Sequence, residues 1–412
     1  MGDKLIQITE YGIITCGENS RGEQWLKKES FEKLEKFILE NIDKNAESLL
    51  TLSVKKGLGK IITAKNNVGI ICIDDGTTIE ILPKIYSKQA ENLTKVKELF
   101  VKMLKTLRGM PYKNIQTANV NVAKMNILEI FIRMFIEEVS TIVKKGLKCD
   151  YESVSSNESF YKGKMLFNEQ IKHNFIHKER CFVEYDTYSP NRVENSIIKA
   201  TLQYLYRTTT SGVNKKDIRR LLACFDGVDE STNYQEDFSK IVKDRNLSDY
   251  NNALRWSEVF LQGKSFTSFK GSEVAFALLF PMEKIFESYV AKLIRKNLDN
   301  KRYVMSVQDS RFHLFDEPRA FSLRPDIVIK DKNDGSIYVL DTKWKKLDIR
   351  STYYGISQED MYQMYAYQKK YNATSVTLLY PLSDDIPKDK KISYVSNDNV
   401  IINVEFIDLF KR

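Results

Sequence analysis

The sequence predicts a multidomain α+β protein: a small β-rich module at the N-terminus, a helical middle region and a C-terminal α/β core built on a mixed sheet. Three observations carry this. The chain has 412 residues, more than one typical domain holds. Its content of 42% apolar and 11% aromatic residues is ample for real cores. Its hydrophobic period also changes twice, which divides it into a β-rich module at 1–92, a mainly helical region at 93–265 and a mixed region at 266–412.

In the first segment ITEYGIITC reads as a strand, and Ser30 as the N-cap of a helix carrying Phe31, Leu34, Phe37, Ile38 and Ile42 on one face. LLTLSV, KIITA and VGIICIDDGTTIEILPKI follow. The last is a hairpin signal, because Asp75-Gly76 supplies the positive φ that a tight turn needs. From Leu93 the stripe Val96, Leu99, Phe100, Met103, Leu104, Leu107 has helical spacing. A second helix starts at Asn126, with Glu129 in a capping-box-like position. Residues 149–190 lose clear period and read as an irregular β or loop excursion around YKGKMLF; helices resume with VENSIIKATLQYLYRTT and DIRRLLACF. In the third segment VAFALLFPMEKIFESYVAKLIRKNL reads as one helix. RYVMSVQ, RFHLF, LRPDIVIK and IYVLDTKWK follow as strands, MYQMYAYQKKY as a crossover helix and SVTLLYP as a further strand.

Composition narrows the chemistry. No apolar run approaches the roughly 18–20 residues that span a bilayer, so no membrane role is expected. The five cysteines are scattered without a C-x-x-C pair, which argues against a disulfide framework or zinc site and suits a reducing cytoplasm. Of three histidines, His173 and His177 have i,i+4 spacing but no H-E-x-x-H around them, so surface or packing roles are expected. Metal chemistry here would rest on carboxylates, which favours hard ions such as Mg²⁺. The net charge of +9 permits nucleic-acid binding without diagnosing it.

Residues 323–347, LRPDIVIKDKNDGSIYVLDTKWKKL, place Asp326, Asp341 and Lys343 in otherwise apolar strands. Side chains alternate faces along a strand, so Asp341 and Lys343 share one. A two-residue turn at Asn333-Asp334 sets Asp326 opposite Asp341; one at Asp334-Gly335 sets it opposite Lys343. Either even-length connection puts all three on one face. Paired carboxylates repel unless a cation sits between them. A divalent metal resolves this and activates water, and a nearby lysine can stabilise charge on a phosphoryl transition state. An ion-paired patch at a sheet edge would use the same residue types. Upstream, Glu283 and Glu287 are four apart on a helix whose other face is apolar, and one of them could reach the metal. Downstream, Gln363 and Tyr367 are also four apart.

Glu287, Arg-Pro-Asp326, Asp341-Thr-Lys343 and Gln363-x-x-x-Tyr367, in this order, resemble the PD-(D/E)XK nuclease superfamily and its RecB-like branch. Within it the chain is similar to McrC, the nuclease subunit of McrBC methylation-dependent restriction systems, through PMEKIFESYV, LRPDIVI, VLDTKW and DMYQMYAY, and earlier through YKGKMLF, NRVENSIIKATLQYL and GTTIEILPKI. The resemblance implies a restriction-endonuclease-like C-terminal core and an Mg²⁺-dependent DNA endonuclease. It further implies action on double-stranded DNA carrying modified cytosine, alongside an AAA+ GTPase motor of McrB type whose GTPase the chain stimulates, and McrC–McrC pairing in the complex. It implies that Asp326, Asp341 and Glu287 hold the metal, that Lys343 is the catalytic lysine, and that Gln363 and Tyr367 complete the site. The chain has no G-x-x-x-x-G-K-[ST] loop, Gly57-Leu-Gly-Lys60 being the nearest fragment, consistent with a separate motor. Two alternatives stay open: a non-cleaving activator or scaffold of that motor, and a RecB-like nuclease of another defence or repair system.

Overall fold

The structure is a computed structural model that describes residues 5–18, 22–40, 49–85, 87, 92–107, 126–231, 233–241, 247–262, 274–387 and 390–411. The chain begins with β1 (Leu5–Thr9), β2 (Ile13–Cys16), β3 (Gln24–Leu26), α1 (Lys28–Glu40), β4 (Leu50–Lys55), β5 (Gly59–Ala64), β6 (Asn67–Ile73), β7 (Thr78–Leu82) and α2 (Leu93–Leu104). Then come α3 (Ile127–Lys145), β8 (Asp150–Glu158), β9 (Lys164–Met165), α4 (Phe167–Asn174), β10 (Cys181–Ser189), α5 (Val193–Thr208), α6 (Gly212–Cys224), α7 (Tyr234–Lys240) and α8 (Asn251–Gln262). The last part holds β11 (Val274–Pro281), α9 (Met282–Asn297), β12 (Tyr303–Val307), β13 (His313–Asp316), β14 (Arg319–Ser322), β15 (Ile327–Asp331) and β16 (Ile337–Thr342). It ends with α10 (Gln358–Tyr371), β17 (Ser375–Pro381), β18 (Ile392–Val395) and β19 (Ile401–Ile407).

Two compact units result: residues 1–110, 116–127 and 265–412 form one, and 111–115 with 128–264 the other. In the first unit, β3-β2-β5-β4 and β1-β7-β6-β11 form two sheets. They share a core with α1 that includes Phe31, Leu34, Ile62, Ile79 and Leu279. The expected hairpin is there: β6 and β7 pair antiparallel around Gly76 at φ 86°. Ser30 is not the first helix's N-cap. The helix starts two residues earlier, and the Ser30 hydroxyl donates to Asp75 at 2.5 Å, tying α1 to the hairpin turn. VAFALLFP is likewise a strand rather than helix. It pairs antiparallel with β6, and α9 begins only after Pro281. An uninterrupted apolar run fits a buried strand as well as a helix, and Pro281 disfavours helix in the residue before it. Through β11 the segment leading into the C-terminal core completes a sheet of the N-terminal module.

The C-terminal sheet runs β12-β15-β16-β17-β19-β18 and is mixed. β12, β15 and β16 are antiparallel neighbours, and β16, β17 and β19 are parallel. Parallel pairing of β16 and β17 requires a crossover, and α10 supplies it, packing Met364, Tyr367 and Tyr371 into the core beneath β17. β13 and β14 form a separate two-stranded ribbon.

α3 starts at Ile127, one residue after the expected Asn126, and in the second unit its Phe131 and Phe135 pack with Trp256 and Phe260 of α8. Glu129 is buried and anchors the turn into α6. Its carboxylate accepts from Thr209 Oγ1 (2.6 Å), Thr210 N (2.7 Å) and Asn214 Nδ2 (2.8 Å). The excursion at 149–190 is more regular than its composition suggests. β8 and β10 pair over nine positions each, and β9 adds a third strand. Weak alternation is explained by shallow burial: Val183 is the one buried residue of β8 and β10, and Tyr151, Phe167, Phe175 and Ile176 all lie in solvent. His173 contacts Glu169 and stacks on Phe182, and His177 contacts Glu179. Among the described residues no helix is long and apolar enough to cross a membrane.

Candidate active site

The connection between β15 and β16 is even in length. Lys330 faces Ile337, the Asp331 N–H donates to the Ser336 carbonyl, and residues 332–335 form the loop with Gly335 at φ 76°. Ile327 faces Leu340, so the ladder extends to set Asp326 opposite Asp341. That is the first of the two registers open to the sequence, reached through a four-residue rather than a two-residue loop. Parity is the same, and it is parity that brings the charged groups together.

Asp326 stands just before β15, and its carboxylate closes the ladder in place of backbone. Oδ2 accepts from the Thr342 N–H (2.8 Å) and the Thr342 hydroxyl (2.6 Å). Oδ1 accepts from Gln308 Nε2 (3.0 Å), and the same amide donates to Glu287 Oε1 (2.8 Å). Gln308 thus links Glu287 on α9 to Asp326. Glu283, one turn earlier, is exposed and accepts from Asn66 at 3.1 Å; of the two glutamates, Glu287 is the one at the site.

Asp341 lies in the middle of the sheet and is almost fully buried. Burial pushes its carboxyl well above the usual range, the charge of Asp326 adds to this, and Lys343 only partly offsets it. Asp326 is raised too, chiefly by burial, with the two Thr342 bonds working against the rise. The Lys343 ammonium lies 3.0 Å from Asp341 Oδ2, 3.1 Å from Asp360 Oδ1 and 3.0 Å from Gln363 Oε1. Burial alone would lower its pKa, but Asp341 and Asp360 outweigh that and hold it above the ordinary lysine value. Gln363 in turn donates from Nε2 to the Tyr367 phenol oxygen at 2.8 Å. Tyr367 is buried, and its phenol is kept protonated first by burial and then by the charge of Asp341.

Of the seven residues singled out in the sequence, Asp326, Asp341, Lys343, Glu287, Gln363 and Tyr367 therefore meet through direct contacts or one intermediary, and Glu283 does not. Three partners were missed. Asp360 lies three residues before Gln363 on the same helical face, so the spacing that drew attention to Tyr367 could have found it. Thr342 lies inside Asp-Thr-Lys. Gln308 carries no sequence signal, because it comes from the end of β12 at φ 54°, a left-handed backbone that nothing in VMSVQDS announces.

The donor set suits a hard cation. Asp326 and Asp341 repel each other in a buried setting, and the oxygens nearby, those of carboxylates, the Thr342 hydroxyl and the Gln363 amide, are hard donors. Among the described residues no three such groups are already drawn together as a cage. A third ligand from Glu287 requires its carboxylate to turn from the bridging Gln308 amide.

The N-terminal module braces the site from behind. Trp344 follows Lys343 and packs on Phe286, which precedes Glu287, with ring centroids 5.3 Å apart. Its indole N–H donates to the Glu10 carboxylate at 3.0 and 3.2 Å, and the Lys84 N–H donates to the same group at 2.8 Å. Glu10 is wholly buried, and burial pushes its carboxyl up to about 7. A carboxyl raised from 4.5 when folded binds its proton more tightly folded than unfolded. Its contribution is complete below 4.5 and is lost as pH rises toward 7. Without divalent cations the melting temperature is therefore expected to fall between about pH 4.5 and 7. The Glu10→Gln variant should show a flatter profile over the same range. Identical slopes in the two proteins would remove Glu10 from this role.

A family model described as McrBC 5-methylcytosine restriction system component matches residues 62–381. Among solved structures the chain is similar to one in the refined half-complex from a tetradecameric assembly of Thermococcus gammatolerans McrB AAA+ hexamers with bound McrC. The TM-score is 0.72 at 19% identity, covering 99% of this chain and 96% of that one. A second match, to the cryo-EM structure of the Thermococcus gammatolerans McrBC complex, has a TM-score of 0.50 at 21% identity and covers 72% of this chain and 89% of that one. At such identities the likeness speaks for the fold alone. No curated protein matches the sequence.

Proposed function

Because the chain belongs to the McrBC 5-methylcytosine restriction system component family, we propose that it is the McrC-type nuclease subunit of such a system. It would cleave DNA phosphodiester bonds with Mg²⁺ through a restriction-endonuclease-like core and stimulate the GTPase of an AAA+ partner. The observation that supports this most is the convergence of Asp326 just before β15, Asp341 on β16 and Lys343 just after it, with Gln363 holding the lysine from α10.

Asp326, Asp341 and Glu287 would hold the cation, which when bound polarises a phosphate oxygen and lowers the pKa of water. Thr342 fixes the Asp326 carboxylate through two bonds to one oxygen, so its rotamer is set before any ligand arrives. Lys343 has three acceptors. With Asp341 engaged in holding the cation, Asp360 and Gln363 would still hold the ammonium beside the carboxylates. There it orients the attacking water and stabilises negative charge building on the phosphate. Tyr367, through Gln363, keeps the amide oxygen turned toward the lysine.

GTP hydrolysis is assigned to the partner, since this chain carries no phosphate-binding loop. The surface proposed to meet that partner is the three-stranded sheet with α4. There Phe167, Ile171, Phe175 and Ile176 are each more than 60% exposed, a grouping that marks interaction sites rather than ordinary surface. Phe175→Asp combined with Ile176→Asp should abolish stimulation of the partner's GTPase and leave metal binding intact. Normal stimulation by this variant would assign the contact elsewhere. The reading as a whole is tested by incubating 5-methylcytosine duplex with this chain and its AAA+ partner across a Mg²⁺ titration. Cleavage that appears with Mg²⁺ and vanishes in chelator is expected; none at any concentration would favour a scaffold that does not cut.

A further inference from the structure

On the face of α9 away from Glu287, a groove of about 670 Å³ opens between α2, α9 and the end of the chain. Lysines reach it from three segments far apart in sequence: Lys102 and Lys105 from α2 and its C-cap, Lys292 and Lys296 from α9, and Lys411 after β19. Its floor includes the nearly buried Tyr289, with the Lys102 ammonium 5.6 Å from the ring centroid. One carboxylate, Asp408, also lines it. Among the described residues Lys102, Lys292, Lys296 and Lys411 have no salt-bridge partner. Elsewhere in this unit lysines commonly do: Lys33, Lys60, Lys97, Lys346, Lys369 and Lys370 each hold an aspartate or glutamate.

This arrangement is unfavourable without an anion. Lys292 and Lys296 are i,i+4 on one helix, and like charges at that spacing destabilise it. The flanking helix α2 adds the Lys102 ammonium across the groove. Compact, mobile ammonium groups around an open trough suit a row of phosphates, each neutralised as a point charge. Of the two aromatic rings that line it, Tyr289 is buried and Phe406 only partly exposed, so ammonium groups rather than stacking platforms dominate; a duplex, whose base faces are already stacked inside, fits better than a single strand.

We propose that this groove is a second contact for double-stranded DNA, binding its phosphate backbone outside the cleavage site. The proposal rests on the nuclease reading and extends it. α9 would join the two contacts, since it presents Glu287 to the site on one face and Lys292 and Lys296 to the groove on another. The sequence hides the groove because its lysines come from three segments and form no basic run.

The test is fluorescence anisotropy of the full-length chain, alone and with its AAA+ partner, on a 5-methylcytosine duplex in chelator over a salt series. Each lost phosphate contact should reduce the slope of log affinity against log salt by about 0.9. Lys292→Gln with Lys296→Gln should therefore lower the slope by about 2 and weaken binding roughly tenfold at moderate salt. Lys292→Arg with Lys296→Arg should bind as the wild type does. Unchanged affinity and slope in the glutamine variant would overturn the proposal. So would a wild-type chain that binds no duplex in either setting, or a variant that loses the AAA+ partner while keeping DNA. The two readings fail separately: a protein that binds through the groove yet never cuts contradicts only the nuclease assignment. One that cuts, with binding indifferent to the lysines, contradicts only the groove.

Discussion

Asp341→Asn is expected to reduce Mg²⁺-dependent DNA cleavage by roughly a thousandfold or more, since a bound cation contributes several kcal/mol to the transition state and Asp341 is proposed to hold it. The substitution preserves shape, and the buried position on β16 is already destabilised by charge. Burial and the neighbouring Asp326 both push the carboxyl toward its neutral form. Removing that charge should not unfold the protein, and without cations the variant should melt no lower than the wild type. Stimulation of the partner's GTPase, assigned here to the separate sheet of β8, β9 and β10, should survive. Cleavage assays and melting curves run side by side check this. Loss of cleavage together with a collapsed melting temperature would leave the catalytic role unsupported.

Lys343→Ala should cost about a hundred- to a thousandfold in cleavage, the range seen when one preorganised donor to developing negative charge is removed. Unlike Asp341→Asn, it should not weaken metal binding. The lysine offsets the charge of Asp341, and its removal leaves the carboxylates more in need of a cation. The variant also strands Asp360, whose Oδ1 now meets the ammonium at 3.1 Å, so some loss of stability at neutral pH is expected without divalent ions. Lys343→Arg should rescue poorly, because a planar guanidinium cannot occupy a pocket shaped for a point donor among three acceptors. Full activity in Lys343→Ala would remove the lysine from the chemistry.

Much of this site was legible in the sequence because its geometry depends on parity. Strand alternation and an even hairpin bring Asp326, Asp341 and Lys343 to one face whatever the loop length. A four-residue loop in place of a two-residue turn therefore changed nothing. Helical spacing did the same for Gln363 and Tyr367. What could not be read comes from elements meeting across the fold. Gln308 reaches Glu287 and Asp326 from a left-handed residue at the end of β12, and Glu10 braces Trp344 from more than three hundred residues away. The apolar run VAFALLFP misled for a different reason. Without alternation a buried strand and a buried helix look alike, and only pairing with β6 decides between them. Ser30 had the residue type of a cap, but its hydroxyl found a tertiary partner in Asp75 instead.

The central claim is that Asp326 and Asp341 form a cation site, and direct binding tests it without depending on activity. Isothermal titration of the purified full-length chain with Mn²⁺ as the Mg²⁺ surrogate, near pH 6.5, should show saturable binding that releases protons, because buried carboxyls with raised pKa must ionise to take the ion. In Asp326→Asn with Asp341→Asn that binding should disappear while the folded state is kept. Equal affinity in the two proteins would contradict the account.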